Sequence, residues 1–87
     1  MEYRYAISQF IPKRELMEND VIYISYDYEV SIHICPCGCN DQVVLPFGSK
    51  LRWELTVNDN GVTFSPSILH HPCESHYYIR NNAVVWC

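Results

Sequence analysis

The chain has 87 residues, five cysteines and a formal net charge of -4 at neutral pH. This length predicts one domain, residues 1–87, whose small core would gain stability from a bound metal. The acidic balance argues against a nucleic-acid partner, and no apolar run has the length or position of a membrane span or signal peptide. An odd cysteine number disfavours a disulfide framework, so we expect reduced thiols in the cytoplasm.

The first half of the chain is rich in aromatic and β-branched residues. Residues 3–10 alternate imperfectly between apolar and polar side chains, which predicts a strand. The charged segment 13–20 is long enough for one helical turn only. Residues 21–28 and then 30–34 predict two further strands, and the second leads directly into three closely spaced cysteines.

The second half predicts hairpins. Asn60-Gly61, within the turn 58–61, predicts a type I′ turn, and Asn81-Asn82 predicts a second hairpin. We expect inward side chains at positions 51, 53, 55 and 57, with Trp53 and Trp86 as core anchors, and a loop over 68–72. The remaining predicted strands cover residues 42–47, 51–57, 62–64, 76–80 and 83–86. Seven or eight short strands with little helix predict a small all-β sandwich or open barrel.

Two cysteine-bearing segments predict a metal site held by two loops. The first is Cys35-Pro36-Cys37-Gly38-Cys39, where proline and glycine let the backbone turn the thiolates toward one point. The second is Cys73-Glu74-Ser75-His76, a Cys-x-x-His sequence. A short cysteine cluster combined with a remote Cys-x-x-His has the ligand spacing of one tetrahedral zinc ion.

Five side chains compete for the four positions around such an ion: Cys35, Cys37, Cys39, Cys73 and His76. Cys37 is central in its loop, and the spacing leaves open which of Cys35 and Cys39 binds the metal and which lies beside it. A strand histidine such as His33 is more often a surface or hydrogen-bonded residue than a ligand. Cys87 reads as an isolated thiol.

The number of protein ligands decides whether such a site can catalyse a reaction. With four protein ligands the zinc has no open position, which predicts a structural site, no catalytic residues and no enzymatic activity. With three ligands and a water molecule, hydrolysis would become available, and Glu74 would be the nearest general base. The closed, structural site is the prediction that the spacing favours.

The motifs resemble a bacterial domain-of-unknown-function family of small proteins. The resemblance covers His33 to Cys39, Trp53, Pro66-Ser67-Ile68, Cys73 to Ile79 and Val84 to Trp86, with Asn40 where the family usually has glycine. The resemblance implies a metal-binding protein whose genes accompany those of bacterial ubiquitin-like conjugation, including activating and conjugating enzymes and a deconjugating protease. It therefore implies protein partners in that pathway and a role that extends to phage defence.

A weaker resemblance is to Rieske iron–sulfur domains, which hold a [2Fe–2S] cluster on two loops of a small β domain. The Cys73-x-x-His76 segment looks like the second Rieske ligand box, whereas Cys35 and Cys37 replace the Cys-x-His of the first. This resemblance implies a Rieske-like fold and offers an alternative function, electron transfer through a [2Fe–2S] cluster.

Together these observations predict a non-enzymatic zinc-binding adaptor in a bacterial ubiquitin-like modification pathway. Its binding surface is expected around residues 39–42 and 68–75, because the second segment carries Ile68, Leu69 and few charges. The alternative for these two aliphatic side chains is burial in the core.

Overall fold

The computed structural model describes residues 1–48 and 53–87 and shows an all-β fold of three open sheets. The first sheet has the order β1-β2-β3-β4, the second pairs β5 with β6, and the third has the order β7-β8-β9. The strands are β1 Arg4–Ile7, β2 Val21–Ser25, β3 Val30–Ile34, β4 Gln42–Pro46, β5 Glu54–Asn58, β6 Gly61–Ser65, β7 Ile68–His70, β8 Ser75–Arg80 and β9 Ala83–Trp86. The prediction of an all-β domain is therefore confirmed.

Strand boundaries differ from the predicted ones where turns interrupt the apolar pattern. The strand predicted over 21–28 ends at Ser25, and the positive φ of Glu29 (51°) completes a turn into β3. The charged segment after β1 forms one 3₁₀ turn, Arg14–Leu16, as its length predicted. The loop predicted over 68–72 begins instead with the short strand β7. Positions 51 and 52 of the strand predicted over 51–57 lie outside the described residues.

Both predicted hairpins form, but with different turns. Arg80 pairs with Ala83 across Asn81 and Asn82, whose φ angles of 50° and 71° are those of a type I′ turn. Between β5 and β6 the positive φ falls on Gly61 (118°), which already pairs with Asn58. The prediction of a type I′ turn at Asn60-Gly61, between β5 and β6, is therefore wrong.

The core lies between the sheets and is built from alternating strand residues. Its buried members are Tyr3, Ile22, Ile24, Cys35, Val43, Leu45, Phe47, Val62, Phe64, Ile68, Tyr77 and Ile79. Trp53, Leu55 and Val57 pack against this core and alternate with exposed neighbours, as predicted. Trp86 is 50% exposed, with its ring at the edge of Tyr77, so its prediction as a core anchor is wrong.

His33 lies fully buried in the core rather than at the surface. Its Nε2 atom lies 2.7 Å from the Tyr77 hydroxyl, and the Tyr3 ring meets it edge-on at 5.3 Å. Burial lowers the pKa of His33 to about 3, so the imidazole is neutral in the folded protein. Among the described residues, no helix has the length and apolar character needed to cross a membrane.

Candidate functional site

Four cysteine side chains meet at one point between two loops. The Sγ atoms of Cys35, Cys37, Cys39 and Cys73 all lie within 4.8 Å of one another. Cys35 Sγ is 3.5 Å from that of Cys37 and 3.6 Å from that of Cys73. A tetrahedral zinc ion with Zn–S bonds of about 2.3 Å separates its sulfurs by roughly 3.8 Å. The four thiols therefore form a cluster that could hold a metal ion.

The first loop is shaped by its backbone. Cys35 N–H donates to the carbonyl of Asp41 at 2.8 Å, which closes the loop at the ends of β3 and β4. Gly38 (φ 95°) and Asn40 (φ 67°) supply the left-handed angles that turn the chain. Arg14 holds the loop from outside by donating to the Asn40 carbonyl at 2.8 Å and to its side-chain oxygen at 2.7 Å.

The second loop joins β7 to β8 and contributes one thiol. The positive φ of Glu74 (57°) turns the chain, and the hydroxyl of Ser75 lies 3.0 Å from Cys73 Sγ. A hydrogen bond between His70 Nε2 and the Asp41 carboxylate, at 3.1 Å, links this loop to the first. The cluster is thus assembled from two distant segments, as the spacing of the cysteines predicted.

The thiols differ in their readiness to ionise. Hydrogen bonds from the Ser75 hydroxyl and from the Cys39 N–H lower the pKa of Cys37 to about 6. Burial raises the pKa of Cys35 to about 12. Thiolate is the metal-binding form of cysteine, so the lowered pKa of Cys37 favours its metal-binding form.

His76, the fifth predicted ligand, lies outside this cluster. Its Nε2 atom is 2.9 Å from the hydroxyl oxygen of Ser67, the residue that immediately precedes β7. The antiparallel pairing of β7 with β8 sets Leu69 opposite His76, so Ser67 is a diagonal neighbour of the imidazole on the same face. The imidazole is exposed and the serine is half-buried, which leaves the pair open to a substrate.

The contact between Ser67 and His76 differs from the contacts that other serine and histidine side chains make. His33 bonds to a tyrosine in the core, His70 pairs with Asp41, and the Ser75 hydroxyl contacts a thiol. Across residues 1–48 and 53–87, Ser67 and His76 form the one hydrogen bond between a serine hydroxyl and an imidazole. A nucleophile within hydrogen-bond reach of a base is the core of a serine hydrolase site.

The structure brings together four of the five predicted ligands, Cys35, Cys37, Cys39 and Cys73, and places His76 elsewhere. Cys87 is exposed and apart from the cluster. A Rieske centre uses two histidines, and the thiol-only cluster does not supply them. Sequence reasoning missed Ser67 as a functional residue, although Pro66-Ser67-Ile68 and Cys73-x-Ser75-His76 were both part of the motif pattern.

The structure thus shows a small β domain with an exposed Ser67–His76 hydrogen bond and a cluster of four thiols. The chain belongs to the BubE family, described as the bacterial ubiquitination-like system serine protease, whose model matches residues 7–87. Comparisons with curated proteins and with solved structures found no match.

Membership in this family changes the functional prediction. The predicted connection with a bacterial ubiquitin-like system is confirmed, and it implies protein partners in that pathway. The prediction of a non-enzymatic protein is wrong, because the family is described as a serine protease. The non-enzymatic prediction was drawn from the closed zinc site, and a closed metal site does not exclude a reaction carried by other side chains.

Proposed function

We propose that this protein cleaves amide bonds in a bacterial ubiquitin-like modification pathway, with Ser67 as the nucleophile and His76 as the general base. The observation that carries the proposal is the 2.9 Å contact between the Ser67 hydroxyl and His76 Nε2. The family to which the chain belongs supplies the class of reaction.

The two side chains supply the nucleophile and the general base that acyl transfer requires. For the imidazole to act as a base, Nε2 must accept the serine proton while Nδ1 carries its own. Ser67 Oγ then attacks the carbonyl carbon of the scissile amide, and His76 takes the hydroxyl proton. The protonated imidazole passes this proton to the departing amine, which leaves an ester on Ser67. Water, deprotonated by His76, attacks the ester; the acyl group leaves as a carboxylic acid, and His76 returns the proton to Ser67 Oγ.

The thiol cluster is proposed to hold a zinc ion that fixes the geometry of this pair. Four thiolates fill the coordination sphere of zinc, so the ion stabilises structure and takes no part in the reaction. Four sulfurs within 4.8 Å suit a single ion, whereas a two-iron cluster needs two thiols farther from the other two. Cys73 lies between Ser67 and His76 in the chain, so anchoring it fixes the β7–β8 hairpin that carries both. The reducing cytoplasm proposed for the protein would preserve the thiols.

Hydrolysis of peptides by the metal-loaded protein tests the proposal. We expect wild-type protein to cleave a mixture of denatured bacterial peptides, with new termini detected by mass spectrometry. Ser67→Ala and His76→Ala should lose this cleavage while retaining the metal content of the wild type. Ser65→Ala, a change two residues away at an exposed position, is the matched control and should remain active. Cleavage by Ser67→Ala at the wild-type rate would refute the assignment of the nucleophile.

A further inference from the structure

The edge of the β7-β8-β9 sheet beside Ser67 carries backbone groups that β8 does not use. His76 C=O accepts from the N–H of Cys87 at 3.0 Å, so the backbone groups of His76 face β9. Leu69 lies directly opposite His76 in antiparallel register and therefore forms a pair without hydrogen bonds. The N–H and C=O of Leu69 point away from β8. Within the described part of the chain, no backbone hydrogen bond uses them.

The side chain of Leu69 lies on the same face as the reactive pair. Alternation along the strand buries Ile68, which is 1% exposed, and turns Ser67 and Leu69 to the opposite side. Leu69 is 48% exposed and stands next to His76. On β9, Val85 is 39% exposed and adds a second apolar side chain to this face. The face that carries the imidazole therefore has two exposed apolar side chains, Leu69 and Val85.

We propose that β7 is the substrate-binding strand: an extended segment of the substrate pairs with the backbone of Leu69 and places its scissile carbonyl at Ser67. The inference rests on the proposed function, because it takes Ser67 as the nucleophile. Two residues of strand cover about 7 Å, so a segment anchored at Leu69 reaches Ser67 two residues farther along. The Leu69 side chain then contacts one substrate residue at a fixed distance from the cleaved bond and selects an apolar one.

This arrangement makes an extended peptide, rather than a folded surface, the form of substrate that the site accepts. Main-chain hydrogen bonds supply affinity independent of sequence, and Leu69 supplies selection at one position. The pairing also holds the carbonyl near the nucleophile before the reaction, which is the contribution that positioning makes to catalysis. A segment that is flexible in the free substrate can adopt the required strand, whereas a residue inside a helix cannot.

The backbone part of the proposal is tested by Leu69→Pro and Leu69→Ala. Proline removes the outward N–H and leaves the β7–β8 hydrogen bonds intact, since Leu69 makes none of them. Alanine removes a similar amount of side chain and keeps the N–H. We expect kcat/KM of Leu69→Pro on the peptide mixture to lie about fivefold to tenfold below that of Leu69→Ala, the effect of one hydrogen bond. Melting temperature, metal content and labelling of Ser67 by a small fluorophosphonate verify that the reactive pair is intact.

The side-chain part is tested by Leu69→Asp. The charge should shift the residues found at one fixed position in the cleaved peptides from apolar to basic, a change that damage to the fold cannot produce. Val44→Asp, at another half-exposed strand position, is the matched control and should keep the wild-type preference. Leu69→Asp also tests the proposal if Leu69→Pro fails to fold.

The outcomes separate this inference from the proposed function. Equal cleavage by Leu69→Pro and Leu69→Ala, together with an unchanged preference in Leu69→Asp, would overturn the role of β7 while leaving Ser67 and His76 in place. A dimer that Leu69→Pro dissociates without altering cleavage would show that a second copy occupies the edge, and it too would overturn the proposal. Peptide cleavage that survives in Ser67→Ala would refute the proposed function itself.

Discussion

In the proposed zinc site, Cys73 is the one ligand that the second loop contributes, so its replacement should separate the two loops. The other three thiols lie within residues 35–39, and Cys73 is 38 residues away from Cys35 in the chain. In Cys73→Ser the first loop would keep three thiols, but a zinc ion held there would no longer join it to the β7–β8 hairpin.

The size of the effect follows from the loop that the metal closes. Treated as a covalent cross-link over 38 residues, the connection reduces the entropy of the unfolded chain. This raises the free energy of the unfolded state by about 4 kcal/mol at room temperature. A domain of this length has a free energy of unfolding of roughly 4–13 kcal/mol, so the loss is a large fraction of the total. The melting temperature should fall by about 15–30 °C.

Thermal unfolding of metal-loaded wild type, Cys73→Ser and Cys87→Ser measures this effect. Cys87→Ser should melt like the wild type, because that thiol is exposed and outside the cluster. After chelation, wild type and Cys73→Ser should melt together, since neither then has the cross-link. A melting temperature of Cys73→Ser within about 3 °C of the metal-loaded wild type would refute the reasoning, given the size expected from the cross-link.

Three further predictions concern the reactive pair and the buried histidine. Ser67→Ala should change the free energy of unfolding by less than about 1 kcal/mol, because the side chain is half-buried at the sheet surface; calorimetry checks this. Tyr77→Phe leaves His33 Nε2 without its hydroxyl partner and should cost about 1–3 kcal/mol in denaturant unfolding. Because the pKa of His33 is about 3 in the folded protein and 6.5 ordinarily, the unfolded chain binds the extra proton and stability should fall as pH decreases from about 6.5. In His33→Gln this decline in melting temperature should be shallower, and an identical pH profile would contradict a buried neutral imidazole.

The sequence was most informative where one residue type admits few conformations or functions. Three cysteines separated by proline and glycine predict a backbone turn that brings their thiolates together. Asn81-Asn82 predicts a tight hairpin, because asparagine tolerates positive φ. The association of Cys73 with the distant loop followed from ligand chemistry alone. These features depend on local geometry or on a ligand set, and both are visible in a sequence.

Other features depend on how the sheets pack. His33 is buried because Tyr3, just before β1, and Tyr77, in β8, pack against its ring. These two residues lie 30 and 44 positions away from His33 in the chain. Trp86 is exposed because it lies at the end of β9, an edge strand whose last two residues, Val85 and Trp86, both face solvent. The contact of Ser67 with His76 requires the register of β7 against β8, and a Cys-x-x-His motif indicates only the metal as a partner.

Fluorophosphonate labelling followed by peptide mapping tests the central claim most directly. The reagent phosphonylates an activated serine with loss of fluoride, and the site is read by mass spectrometry without knowledge of the substrate. The account predicts one adduct on Ser67 of the metal-loaded protein, which is absent from Ser67→Ala and slowed at least about a hundredfold in His76→Ala, since general-base assistance contributes typically 10²–10⁴-fold. An adduct on a different serine, or labelling of Ser67 that is indifferent to His76, would contradict it.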